Sequence, residues 1–110
     1  MQFSFTEEQQ LFADSVRKFA LAHLEKDSLK RAHDPRYPFD VAQLMSRQGL
    51  MGITIPEADG GMGGSLMDAV IAIEQIAAVC PRSSDVVQFG NFGPIRTFAE
   101  YGSPQQKARW

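Results

Sequence analysis

The sequence predicts an all-α, bundle-like domain of five or six helices with one short extended link and a glycine-rich loop. Three observations carry that expectation. Apolar residues recur at three- and four-residue steps in four separate stretches, the spacing of helices that each bury one face. Capping residues, glycines and prolines stand where those stretches begin and end. One strand-like run, Leu50-Met51-Gly52-Ile53-Thr54-Ile55, is stopped by Pro56 and followed by Gly60-Gly61-Met62-Gly63-Gly64, so it reads as a buried extended link into a loop.

The first helix is expected over about residues 7 to 26. Thr6 and Gln9 have capping-box spacing, Glu7 and Glu8 suit the positive end of the helix dipole, and Phe12, Val16, Phe19, Ala20 and Leu24 form one stripe. A weaker amphipathic segment reaches Ala32, where Asp34-Pro35-Arg36-Tyr37-Pro38 ends it. Phe39 and Asp40 open the next helix, with Asp40 as cap, Val41, Leu44 and Met45 inward and Gly49 as a left-handed stop. Ser65 caps the most hydrophobic segment, which carries Leu66, Ala69, Val70, Ile73, Ile76, Ala77 and Cys80 up to Pro81 and is expected to lie centrally. Ser83 or Ser84 begins the last long helix, which runs to Gly102 and which Pro94 kinks or splits. Ser103-Pro104-Gln105 starts one more helix. The shared apolar faces predict a core of Phe12, Val16, Phe19, Leu44, Val70, Ile73 and Phe98.

With 110 residues and 44% hydrophobic composition the chain buries roughly two thirds of its unfolded surface, enough for a core. Its net charge of -2 comes from interspersed acids and bases, so no basic stripe tracks nucleic acid and no polybasic segment holds an anionic membrane. The apolar runs fall short of a membrane span, and Met1-Gln2-Phe3-Ser4-Phe5 does not read as a secretory leader, so a cytoplasmic or other soluble intracellular protein is expected. Cys80, the single cysteine, leaves no internal disulfide and reads as a small buried hydrophobe.

Motifs for chemistry are sparse. The glycine loop lacks the Gly-Lys-Ser/Thr of a P-loop, and Leu66 occupies the position where a dinucleotide fingerprint needs glycine, so a tight crossing between helices explains it better. His23 and His33 have no carboxylate at a metal-ligand offset. Ser83-Ser84-Asp85 after Pro81 suits a helix start rather than a nucleophile. No catalytic residue and no metal ligand is therefore named. Val86, Phe89, Gly90 and Gly93 fall at i, i+3, i+4 and i+7 and are expected to share one helical face. Two glycines in a helix imply close helix packing, the preferred reading, or a groove wall for an apolar chain.

Taken in order, these segments resemble the amino-terminal domain of acyl-CoA dehydrogenases. The resemblance rests on Phe5-Thr6-Glu7-Glu8-Gln9, Val16-Arg17-Lys18-Phe19-Ala20, Pro38 with Leu44 to Pro56-Glu57, Gly60-Gly61-Met62-Gly63, Ile73-Glu74-Gln75-Ile76-Ala77 and Tyr101-Gly102-Ser103-Pro104-Gln105-Gln106-Lys107, and so spans essentially residues 1–110. It implies a helical domain that packs on a β-domain and a carboxy-terminal helical domain, which together hold FAD and oxidise an acyl-CoA to the trans-2-enoyl-CoA, as a homo-oligomer. The stretch lacks the β-domain and the catalytic glutamate of that family. By position, the helix after Ser84 would help wall the acyl pocket, making Asp85, Val86, Phe89, Gly90 and Gly93 the candidate substrate-binding residues. A non-catalytic subunit or interaction module of the same fold, or part of an acyl-CoA oxidase or flavin monooxygenase, stays open.

Overall fold

The computed structural model describes residues 1–110, which form seven α-helices and no strand. Helix α1 (Glu7–His23) opens on the expected capping box: Thr6 Oγ1 accepts from the Gln9 N–H at 3.1 Å, and Gln9 Oε1 accepts from the Thr6 N–H at 2.9 Å. It stops before the expected residue 26 because Leu24 turns into the core, where the Arg31 guanidinium caps its carbonyl at 3.2 Å. The weak segment that follows is the single turn α2 (Ser28–Ala32).

Helix α3 (Phe39–Arg47) buries Val41 and Met45 and is halted by Gly49 in the left-handed region (φ 75°). Asp40 is not its cap: Pro38 holds that position without a side-chain bond, and Asp40 lies in the first turn, where its charge suits the helix dipole.

The link after Gly49 differs from expectation. Leu50–Gly52 is a 3-10 turn, and Ile53 has helical angles (φ -59°, ψ -45°) rather than extended ones. Leu50 and Ile53 both go into the same core, which a strand's alternation forbids for residues three apart and a helical turn permits. A second 3-10 turn, Glu57–Asp59, leads into the glycine loop. Met62, Gly63 and Gly64 donate their N–H groups back to Gly52, Ile55 and Ile53 at 2.7–2.8 Å, and a Cβ on Gly61 would overlap the Ile55 carbonyl oxygen. The loop is folded flat onto the link, the tight crossing that its composition suggested.

Helix α4 (Leu66–Ala77) begins with a capping box between Ser65 and Asp68 and packs against both α1 and α5 (Pro81–Asn91), the central place its hydrophobicity predicted. Pro81 both ends the α4 segment and starts α5 as its first residue, so Ser83 and Ser84 lie buried inside α5 instead of capping it. The last long helix is split: Phe92 is extended, Gly93 takes φ 67°, and Pro94 opens α6 (Pro94–Tyr101). Helix α7 (Pro104–Arg109) starts at Ser103, whose Oγ accepts from Gln106 N–H at 3.2 Å.

The core gathers Val16, Ala20, Leu24, Met45, Leu50, Ile53, Ala72, Ile76, Cys80 and Val87. Of the expected core, Val16 is buried, while Phe12, Phe19, Leu44 and Ile73 pack on its edge. Val70 is 46% exposed and Phe98 lies outside the cluster in α6, so both expectations are corrected. With neighbours on two sides, α4 buries Ile71 and Ala72 and turns Leu66, Met67 and Val70 outward. No helix is long and apolar enough to cross a membrane.

Candidate functional site

Helix α5 and the turn Leu50–Gly52 pack against each other, and the seam opens at the surface as a groove of about 770 Å³. One wall is Phe89 and Gly90 from α5, the other is Met51, Ile55 and Met62 from the link and loop, and Ile95 of α6 also lines it. A second hollow of about 560 Å³ continues it along α6 and α7, sharing Ile55, Asp59, Ile95 and Trp110. The Lys107 ammonium pairs with the Asp59 carboxylate at 3.2 Å on its rim. The trough is lined mainly by thioether, aliphatic and aromatic carbon, a surface for an apolar chain.

Val86, Phe89, Gly90 and Gly93, expected on one helical face, do not share it. Phe89 is 66% exposed, and Asp85, one turn before it, is exposed as well. Val86 is buried in the core, and Gly93 stands outside α5 because the helix ends at Asn91. Gly90 lines the groove and lies so close to the turn that an added Cβ would sit 3.0 Å from both Cα and O of Met51. Its lack of a side chain is explained by close packing, and that packing forms the groove wall. Met51 and Met62 were missed, because turn and loop residues carry no periodicity to mark them, and Ile95 was missed because α6 is a separate helix rather than a continuation of α5.

Asn91, also missed, ties the two walls together. It is fully buried, its Nδ2 donates to Leu50 O (2.7 Å) and Val87 O (2.8 Å), and its Oδ1 accepts from the Thr54 N–H at 3.1 Å. The Thr54 hydroxyl donates in turn to Asn91 O at 2.7 Å. The available signal was a polar residue at i+4 from Val87, on the buried face of its helix.

Elsewhere the polar groups read as structural. Cys80 is buried as expected; burial raises its thiol pKa, but hydrogen bonds from Ser83 Oγ (3.0 Å) and Arg31 Nη1 (3.4 Å) outweigh that and hold it below the usual value. A cleft of about 610 Å³ beside α2 and α3 carries Asp27, Asp34 and Asp40 against Lys30, Arg31 and Arg36, a balance that attracts neither anion nor cation. Within it the hydrogen bonds from Arg36 hold the Asp34 carboxyl down at about 2. His23 packs tilted against Phe19 with ring centroids 5.0 Å apart and planes at 42°, and no three His, Cys, Asp or Glu side chains cluster as metal ligands. The glycine loop offers no phosphate cradle, since its N–H groups are spent within the fold and the Asp68 carboxylate sits at the following helix start.

Residues 6–110 match the family profile described as acyl-CoA dehydrogenase, N-terminal domain. The chain belongs to the acyl-CoA dehydrogenase family. Among similar proteins is the 3-sulfinopropanoyl-CoA desulfinase of Paraburkholderia xenovorans, 32% identical over 96% of this chain and 27% of the relative. The short/branched chain specific acyl-CoA dehydrogenase of Bos taurus mitochondria is 33% identical over 97% of this chain and 25% of its own. The short-chain specific acyl-CoA dehydrogenase of Clostridium acetobutylicum is 27% identical over 100% of this chain and 29% of its own. The chain thus spans about a quarter of the length of the curated relatives it matches.

Proposed function

We propose that this acyl-CoA dehydrogenase chain is the helical domain of an enzyme that oxidises an acyl-CoA to the trans-2-enoyl-CoA, and that its groove receives the apolar acyl chain. The observation that carries the reading is the trough between Phe89 on α5 and Met51 and Met62 on the link and loop, in a chain of this family. Phe89 supplies bulk to the wall, Gly90 lets the second wall close in, and Val86 supports that wall from the core. Asp85 and Gly93, each exposed and on either side of Phe89 in the chain, are the remaining candidates.

FAD in such an enzyme accepts the hydride from the substrate's β-carbon. Because the glycine loop has no free N–H groups for the flavin's pyrophosphate, we assign its binding to a β-domain and a carboxy-terminal helical domain, working as a homo-oligomer in a soluble intracellular compartment. The exposed Leu66, Met67 and Val70 of α4 are a surface that such domains would cover. Residues 1–110 alone are then inactive and bind no FAD. A second reading follows from the desulfinase relative, an acyl-CoA that carries a sulfinate. The apolar lining favours the first.

The test is to purify the native polypeptide that carries these residues, supply FAD, an electron acceptor and a series of acyl-CoAs, and analyse the products. Enoyl-CoA is expected from saturated thioesters. Sulfite release from a sulfinate substrate with no enoyl-CoA from saturated ones supports the second reading, and no turnover of any thioester refutes both.

A further inference from the structure

We propose that Asn91 is a positioning residue that sets the width of the groove, holding the Met51 wall at a fixed distance from the Phe89 wall. The inference rests on the acyl-groove reading above. The two walls come from segments far apart in sequence, and the Asn91 side chain joins them through Leu50 O and the Thr54 N–H, the two ends of the stretch that carries Met51. Its remaining amide hydrogen goes to Val87 O on its own helix, so every polar atom of a fully buried side chain is used.

An apolar side chain in this place would avoid burying an amide, yet it would let the turn slide along α5, because apolar contact is non-directional. Hydrogen bonds fix angle and register. The contact they hold is close: Gly90 brings Met51 Cα and O to 3.0 Å from the position of an absent Cβ, so a displacement of a few tenths of an ångström changes the groove. The Thr54 hydroxyl adds the reciprocal bond to Asn91 O at 2.7 Å, which doubles the tie at the far end of the turn.

The test is equilibrium binding of saturated acyl-CoA thioesters, from butanoyl to hexadecanoyl, to the native polypeptide that carries these residues. Asn91→Asp keeps the size and loses both amide donors, Thr54→Val keeps the shape and loses the hydroxyl, and Thr54→Ser restores it. Wild type is expected to discriminate among chain lengths. Asn91→Asp and Thr54→Val flatten that discrimination by about tenfold, the scale of a methylene or two of fit, and Thr54→Ser keeps it. Thr54→Val decides the matter if the buried carboxylate prevents folding. If both variants lower thermal stability while the shape of the length profile stays unchanged, Asn91 is merely structural and the inference is overturned. Phe89→Ala separates the two levels: if it moves the profile while the Asn91 and Thr54 variants do not, the positioning role alone fails. If no variant moves the profile, or wild type binds no thioester, the groove reading fails and the inference falls with it.

Discussion

Replacing Gly90 with alanine sets two opposing effects against each other. Alanine gains about 1 kcal/mol of helix propensity over glycine inside α5. The new methyl would meet Met51 Cε at 2.8 Å and Met51 Cα and O at 3.0 Å, where ordinary contact begins near 3.4 Å. The thioether can swing away, but the backbone atoms cannot, because the amide of Asn91 holds Leu50 O at 2.7 Å and the Thr54 N–H at 3.1 Å. Overpacking of this kind costs roughly 1 to 3 kcal/mol, so the net is a loss of about 1 kcal/mol. That lowers Tm by about 4 °C for a unit of this size and by less in a longer polypeptide that unfolds as one. Thermal unfolding followed by circular dichroism measures it in the native polypeptide. In a Met51→Ala background most of the loss persists, since only the Cε contact has been removed. A rise in Tm on Gly90→Ala would refute the reasoning, because helix propensity would then be acting with no close approach against it.

Ile76→Ala, at a site with no exposure, costs roughly 2 to 5 kcal/mol in denaturant unfolding, whereas Val70→Ala, at 46% exposure, costs less than about 1 kcal/mol. Equal losses would contradict the assigned faces of α4. An NMR titration should find the Asp34 carboxyl at about 2, and Arg36→Ala should return it towards the ordinary 3.8. A folded-state pKa below the unfolded one stabilises above the ordinary value and loses that contribution as pH falls from about 4 to about 2. The pair is exposed, so added salt weakens the shift.

What was legible in the sequence was local. The Thr6, Ser65 and Ser103 caps, the Gly49 stop and the break at Pro94 depend on residues within one turn, and each fell where its chemistry required. Pro81 was read as an end when it is equally a beginning, since its missing N–H is harmless in a helix's first turn. The link Leu50–Ile55 looked extended because β-branched residues favour strands, but the bonds from Asn91 fold it into a turn. Such a partner, distant in sequence, leaves no local mark. For the same reason the one-face reading of Val86, Phe89, Gly90 and Gly93 extended the helix past Asn91 and missed the wall that Met51 and Met62 provide.

The central claim is that the Phe89 groove takes the acyl chain, and the most direct measurement is kcat/KM across a chain-length series for wild type and Phe89→Ala. Gly93→Leu is a poor companion, because φ 67° strains any side chain there whatever the space. Ile95→Phe, which adds bulk where the two hollows meet, serves instead. Phe89→Ala should move the preference towards longer or branched acyl groups and Ile95→Phe towards shorter ones, each methylene of fit being worth about 1 to 3 kcal/mol in discrimination. Profiles that keep the wild-type shape in both variants, with stability alone reduced, would contradict the claim.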